Sequence, residues 1–176
     1  MICNTIKARK EILQAVQDIS AIYPEGEPFF DALDNFLINT ASPTVYKALF
    51  ELTENRPLVL SGGFGKRVAA GIDSGEFEKR TYILFKGGLR KGNSPEILKT
   101  SFTGGLGVVE DEYTFIDDTI YGGNTYYKIK DFLADRGITI KNCVAVYDGC
   151  PKVREDVSSI FRYYDHFKNV TPNFAF

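Results

Sequence analysis

The chain has 176 residues, 44% hydrophobic and 25% charged, and 21 Lys plus Arg against 23 Asp plus Glu give a net charge of -2. That length buries one sizeable core, and the near-even charge argues against non-specific nucleic-acid binding. Three Cys without paired spacing make no disulfide framework, and the lone His166 leaves zinc sites and His-dependent nucleophiles little to build on.

No apolar window reaches membrane-span length and no apolar h-region follows Met1, so the expectation is a protein of a reducing, cytoplasmic compartment with no membrane partner. In chain order, residues 1–56 read as helical. IKARKEILQAVQDISAIY sets Ile6, Ile12, Leu13, Val16 and Ile19 at helical spacings. After a turn at PEGEP comes FFDALDNFLIN, and then SPTVYKALFELTEN, which opens on a Ser-Pro start signal and keeps Val45, Leu49 and Leu52 near one face.

From Pro57 the pattern changes. PLVLSGG is a short apolar run ending in glycine, followed by the helical KRVAAGI. RTYILFKGG is a second such strand. EYTFIDD is a third, followed by the helix TYYKIKDFLADRG with Ile129, Phe132 and Leu133 inward and Gly137 as its stop; NCVAVYDG is a fourth. Short apolar strands alternating with helices predict an α/β fold, a mostly parallel central sheet with flanking helices. The expected organisation is a single domain, with a helical N-terminal region over 1–56, a core over 57–149 and a C-terminal segment over 150–176. Cys143 reads as core and Cys150 as loop. The aromatic run FRYYDHFKNVTPNFAF reads as core or oligomer packing.

In such sheets functional groups gather beyond the carboxyl ends of the strands. The stretch YTFIDDTIYGGNT, Tyr113 to Thr125, places Asp117 and Asp118 side by side there, followed by a glycine pair and a helix start. An ordinary strand-to-helix turn can look like this. A sugar-phosphate site can as well, because a glycine-rich helix N-terminus binds anions and adjacent carboxylates accept hydrogen bonds from a diol or hold a hydrated metal.

YTFIDDTIYGGNT resembles the phosphoribosyl-diphosphate (PRPP) signature of the type I phosphoribosyltransferases. The resemblance implies that Asp117 and Asp118 hold the ribose hydroxyls. It implies a 5′-phosphate loop over Thr119, Ile120, Tyr121, Gly122, Gly123, Asn124 and Thr125. PLVLSGGFGKRVAAGI is similar to the family's diphosphate loop, with Ser61, Gly62, Gly63, Lys66 and Arg67 as the implied contacts. YILFKGGLRKGNSPEILKTSFTGGLG is similar in placement to its catalytic loop. It carries Lys86, Arg90, Lys91 and Lys99 with six glycines from Gly87 to Gly107. As a reading of residues it is either a lid closing on a polyanion or a solvated hairpin. Tyr147 and Asp148 stand where the family often places base contacts, and the helical N-terminus where it often forms part of a hood.

The implied activity is transfer of the phosphoribosyl group from PRPP to a nucleobase-like nitrogen with release of diphosphate, Mg²⁺ entering with the PRPP and no direct metal ligand from the protein. A homodimer is among the assemblies the resemblance allows. Tyr121 and Gly122 stand where the family usually has small hydroxyl residues. The 6-oxopurine branch carries an Asp at the position of Tyr121, so a 6-oxopurine acceptor is disfavoured. The alternative function is a PRPP- or nucleotide-binding regulatory protein of the same fold.

Three further motifs fail on their chemistry. FIDDTIY aligned with the haloacid-dehalogenase opening would put Phe115 at the nucleophile, and a phenyl ring cannot attack phosphorus. SGGFGKR lacks the first Gly and the final Ser or Thr of a P-loop. GGLGVV precedes a strand, whereas a dinucleotide fingerprint follows one.

Overall fold

Helical periodicity and buried apolar runs divide this chain as the sequence predicts. The computed structural model describes residues 2–24, 27–104 and 112–163. His166, Gly105, Gly107 and the aromatic run beyond Tyr163 lie outside the described residues.

Two compact units form. One comprises Met1–Leu52, Asp118–Gly122 and Ala145–Phe176; the other comprises Thr53–Asp117 and Gly123–Val144. The strands make one six-stranded, mostly parallel sheet in the order β3-β2-β1-β4-β5-β6. They are β1 Leu58–Ser61, β2 Tyr82–Phe85, β3 Ile97–Thr100, β4 Glu112–Ile120, β5 Thr139–Asp148 and β6 Val157–Arg162. Both β2 and β4 run parallel to β1, and β3 pairs antiparallel to β2.

In the first unit, α1 (Ile2–Ile22), α2 (Glu27–Asn39) and α3 (Pro43–Glu51) supply the helical face. Helix α1 buries Ala8, Ile12, Ala15 and Val16, whereas Ile6 is exposed. Its inward stripe therefore passes through the alanines, which let neighbouring helices approach. Pro43 opens α3 with its fixed φ. Ser42 before it is held by Glu11 of α1, which accepts from the Ser42 backbone N–H at 2.7 Å and from its hydroxyl at 2.5 Å. Arg9 donates through Nε to the Ile160 carbonyl at 2.8 Å, tying α1 to β6.

In the second unit, every residue of β1 and β2 is buried, the mark of strands covered on both faces. Each fully buried Leu, Ile, Val or Phe there is worth roughly 1.5–3 kcal/mol of transfer free energy. Helix α4, Gly62–Ser74, turns Phe64, Val68, Ala69 and Ile72 inward. Helix α5, Asn124–Ala134, does the same with Tyr126, Ile129 and Leu133, and Gly137 follows its end.

Three local expectations need correction. Six strands form where four were expected. β3 lies inside the excursion read as a lid or hairpin, and β6 inside the C-terminal segment. The third strand does not stop at the carboxylates but runs on to Ile120. Finally, α4 starts directly at Gly62, so no separate glycine turn divides β1 from its helix.

Candidate functional site

Residues of the diphosphate motif come together at one end of the second unit. β1 delivers the chain to Ser61, the N-cap of α4, whose first amides have no carbonyl one turn back to bond. Gly62 has φ +68°, and a Cβ on Gly87 at the end of β2 would lie 3.1 Å from its Cα. The backbones just beyond β1 and β2 therefore approach closely, and a side chain at position 87 would crowd Gly62.

Lys66 is exposed on α4. Arg67 is instead clasped to Glu76 by two hydrogen bonds of 3.0 and 2.6 Å, with its guanidinium 4.9 Å from the Phe77 ring centre. Lys86 reaches Glu96 at 3.2 Å. Arg90 and Lys91 belong to a 3-10 turn, Leu89–Lys91, with Lys91 exposed.

Lys99 sits on β3. Its Nζ donates to Asp73 at 2.5 Å, and the Tyr82 hydroxyl lies 3.0 and 2.9 Å from the two oxygens of the same carboxylate. The Lys99 hydrogen bond holds the Asp73 carboxyl below its ordinary range, against the opposing effect of burial. A lowered folded-state pKa means stability that is present above the usual carboxylate value of about 4 and lost as pH falls through the lowered one. Urea midpoints of wild type and Asp73→Asn should accordingly converge between pH 6 and pH 3. A gap that stays constant over that range would show that the Lys99 pair contributes nothing. Because both partners are half exposed, the gap at neutral pH is small and shrinks with salt.

Asp117 closes one stretch of this unit, and the chain re-enters it at Gly123, the N-cap of α5, with φ +79°. Asn124 and Thr125 occupy the first turn of that helix, which again offers unbonded amides.

Within the other unit, Asp118 and Thr119 are strand residues and nearly enclosed, at 7% and 1% exposure. Asp118 accepts the Thr119 backbone N–H on Oδ1 at 2.8 Å. Ile120 is buried too, so the turn proper is only Tyr121 to Gly123. Gly149 donates its N–H to the Ile120 carbonyl at 3.0 Å, which puts the ends of β4 and β5 side by side.

Tyr121 turns its ring inward. It lies 4.4 Å from Phe30 and 5.8 Å from Tyr147, centre to centre. Tyr147 in turn stacks on Phe161 at 5.8 Å and meets Phe29 at 6.2 Å. In this aromatic cluster the Tyr121 ring anchors the turn. Burial pushes the Tyr147 phenol above its ordinary range, opposed by a hydrogen bond with Tyr121. Tyr147 is fully enclosed, and Asp148, 4% exposed, faces two arginines that the sequence reading did not select.

Those arginines, Arg154 and Arg162, lie in the C-terminal segment, where no motif marks them. Only their charge in a stretch near the end of the fourth strand could have pointed to them. Among the described residues no three His, Cys, Asp or Glu side chains converge as a metal site, and no helix is long and apolar enough to cross a membrane.

No family model matches the chain, and no curated protein matches it in sequence. Solved structures similar to it are phosphoribosyltransferases. One is UMP synthase of Leishmania donovani, at 13% identity and TM-score 0.47 over 83% of this chain and 29% of that one. The chain thus spans less than a third of that protein's length. Orotate phosphoribosyltransferase of Francisella tularensis is similar at 13% identity and TM-score 0.44, over 85% of this chain and 74% of that one. Hypoxanthine phosphoribosyltransferase of Staphylococcus aureus is similar at 15% identity and TM-score 0.41, over 76% and 77%.

Proposed function

We propose that this chain is a phosphoribosyltransferase, which transfers the 5-phosphoribosyl group of PRPP to a nitrogen of a nucleobase-like acceptor and releases diphosphate. The observation that carries the proposal is the path of β4. Two adjacent carboxylates, Asp117 and Asp118, are followed within a few residues by a three-residue turn and the open N-terminus of α5. Carboxylates suit a ribose diol, and unpaired helix amides suit its 5′-phosphate.

The acceptor nitrogen forms its bond to C1 as the C1–O bond to diphosphate breaks. The electron pair leaves with the diphosphate, and the proton on the acceptor nitrogen passes to water. Little covalent work falls to the protein. Asp117 and Asp118 orient the ribose and offset positive charge at C1, while the amides of Gly62 and Gly63 with Lys66 receive the diphosphate. Lys86, Arg90 and Lys91 add positive charge on the loop that follows β2. Mg²⁺ brought in with PRPP, with no direct ligand from the protein, would neutralise the leaving diphosphate. The side chain of Tyr121 disfavours a 6-oxopurine acceptor.

The anchoring of the Tyr121 ring favours one second reading, a protein that binds PRPP or a nucleotide without transferring it, because the turn then offers fewer hydroxyl donors to the phosphate. Calorimetric titration with PRPP and Mg²⁺, followed by diphosphate release across a panel of bases, separates the two. Micromolar binding with turnover on one base supports the transferase. Binding of PRPP without turnover on any base selects the second reading, and no binding of PRPP defeats the transferase.

A further inference from the structure

A cavity of about 570 Å³ opens between α1, the end of β5 and β6. That volume falls in the range of small-molecule sites. Its polar lining is Arg9, Arg154, Arg162, Asp148, Ser158 and Ser159. Arg154 and Arg162 face the Asp148 carboxylate there, and Arg9 lines the same wall.

The carboxylate does not hydrogen-bond Arg154. Asp148 lies 3.8 Å from Nη2 of Arg154 and 3.7 Å from Nε of Arg162, beyond hydrogen-bond reach of either. Its Oδ1 accepts the Cys150 backbone N–H at 2.9 Å. Nε and Nη2 of Arg154 are both buried and have no hydrogen-bond partner among the described residues. Charged donors in that condition are costly unless an acceptor arrives.

We infer that this cavity binds a small phosphate monoester, and that Arg154 is its principal contact. A monoester carries between one and two negative charges near neutral pH, and a guanidinium fork matches its oxygens two at a time. Ser158 and Ser159 of β6 also line the cavity, and because strand side chains alternate in direction, at most one of the two hydroxyls can serve the remaining oxygen. The volume has room for the organic part of the ligand as well. The lining includes neither the carboxylate pair nor any residue of α5, and the inference stands whether or not the transferase reading does.

The test is calorimetric titration of the full chain with AMP, ribose 5-phosphate and inorganic phosphate, with adenosine as the uncharged control. AMP should bind while adenosine does not. Arg154→Gln should weaken AMP at least tenfold, Arg154→Lys less, and Asp117→Asn with Asp118→Asn should leave this binding unchanged. Equal affinity in Arg154→Gln, adenosine binding as well as AMP, or no binding at all would each overturn the inference. So would loss of binding in the carboxylate-pair variant alone, which would place the ligand on the proposed PRPP loop. Should Arg154→Gln fail to fold by circular dichroism, the wild-type chain decides. AMP must then slow modification of Arg154 by an arginine-selective dicarbonyl, read by peptide mass, and an unchanged rate overturns the site.

Discussion

Replacing Asp117 and Asp118 together by Asn is expected to weaken PRPP binding by at least a hundredfold while the chain stays folded. Each hydrogen bond from a sugar hydroxyl to a carboxylate is worth about 1.5–3 kcal/mol, and the proposed ribose contact uses two. Asn matches Asp in shape, and an amide oxygen at position 118 can still accept the Thr119 backbone N–H now held at 2.8 Å. Stability should therefore move by no more than about 1 kcal/mol. The measurement is titration of both proteins with PRPP and Mg²⁺, beside urea unfolding. A folded double variant that binds PRPP like the wild type would remove the ribose from these carboxylates, and the transferase proposal with it.

The second large effect is structural and bears on the same turn. A Cβ built on Gly149 would stand 2.1 Å from Cε1 and 2.6 Å from Cδ1 of Tyr121. The ring has nowhere near to go. Phe30 lies on it at 4.4 Å, and Tyr147, wholly buried, is itself stacked on Phe161. Gly149→Ala should thus expel the Tyr121 ring and cost about 2–3 kcal/mol in urea unfolding. Tyr121→Ala should cost about the same by emptying that place.

The double variant should lose little more than either single one, because the alanine methyl at 149 then enters space the ring has vacated. A coupling of about 2 kcal/mol is expected; strictly additive losses would show that Gly149 and Tyr121 do not share one packing space. The same experiment reports on function. If the turn's backbone must be held by this ring to receive a phosphate, Gly149→Ala weakens PRPP as well as the fold.

What the sequence determined by itself is what short-range pattern can encode. The helices appear where apolar residues recur at helical spacing, α3 begins at its proline, and β1, β2 and β5 appear where uninterrupted apolar runs demand burial on both faces. The alternation of these elements from Pro57 onward was enough to predict the mostly parallel sheet, and the acidic pair before a glycine turn was visible as a motif. Tertiary structure decided what no local pattern carries.

Strand β3 is half exposed along Ile97–Thr100 and has no apolar run of its own; it forms because β2 presents an open edge to pair with. Strand β6 starts at Val157, lines a cavity with Ser158 and Ser159 and buries only Ile160 and Phe161, so its signal is two residues long. Arg67 and Lys99 looked like lid and loop cations in the sequence. In the fold Glu76 and Asp73 lie within reach of them, and charges pair with what is near in space. Tyr121 was a departure from a motif until Phe30 and Tyr147 closed around it, and Asp148 was the end of a strand until Arg154 and Arg162 arrived from downstream. Periodicity tells a residue which way to face along its own element. Which partner it meets there depends on chain brought in from tens of residues away, and only the packed core holds that information.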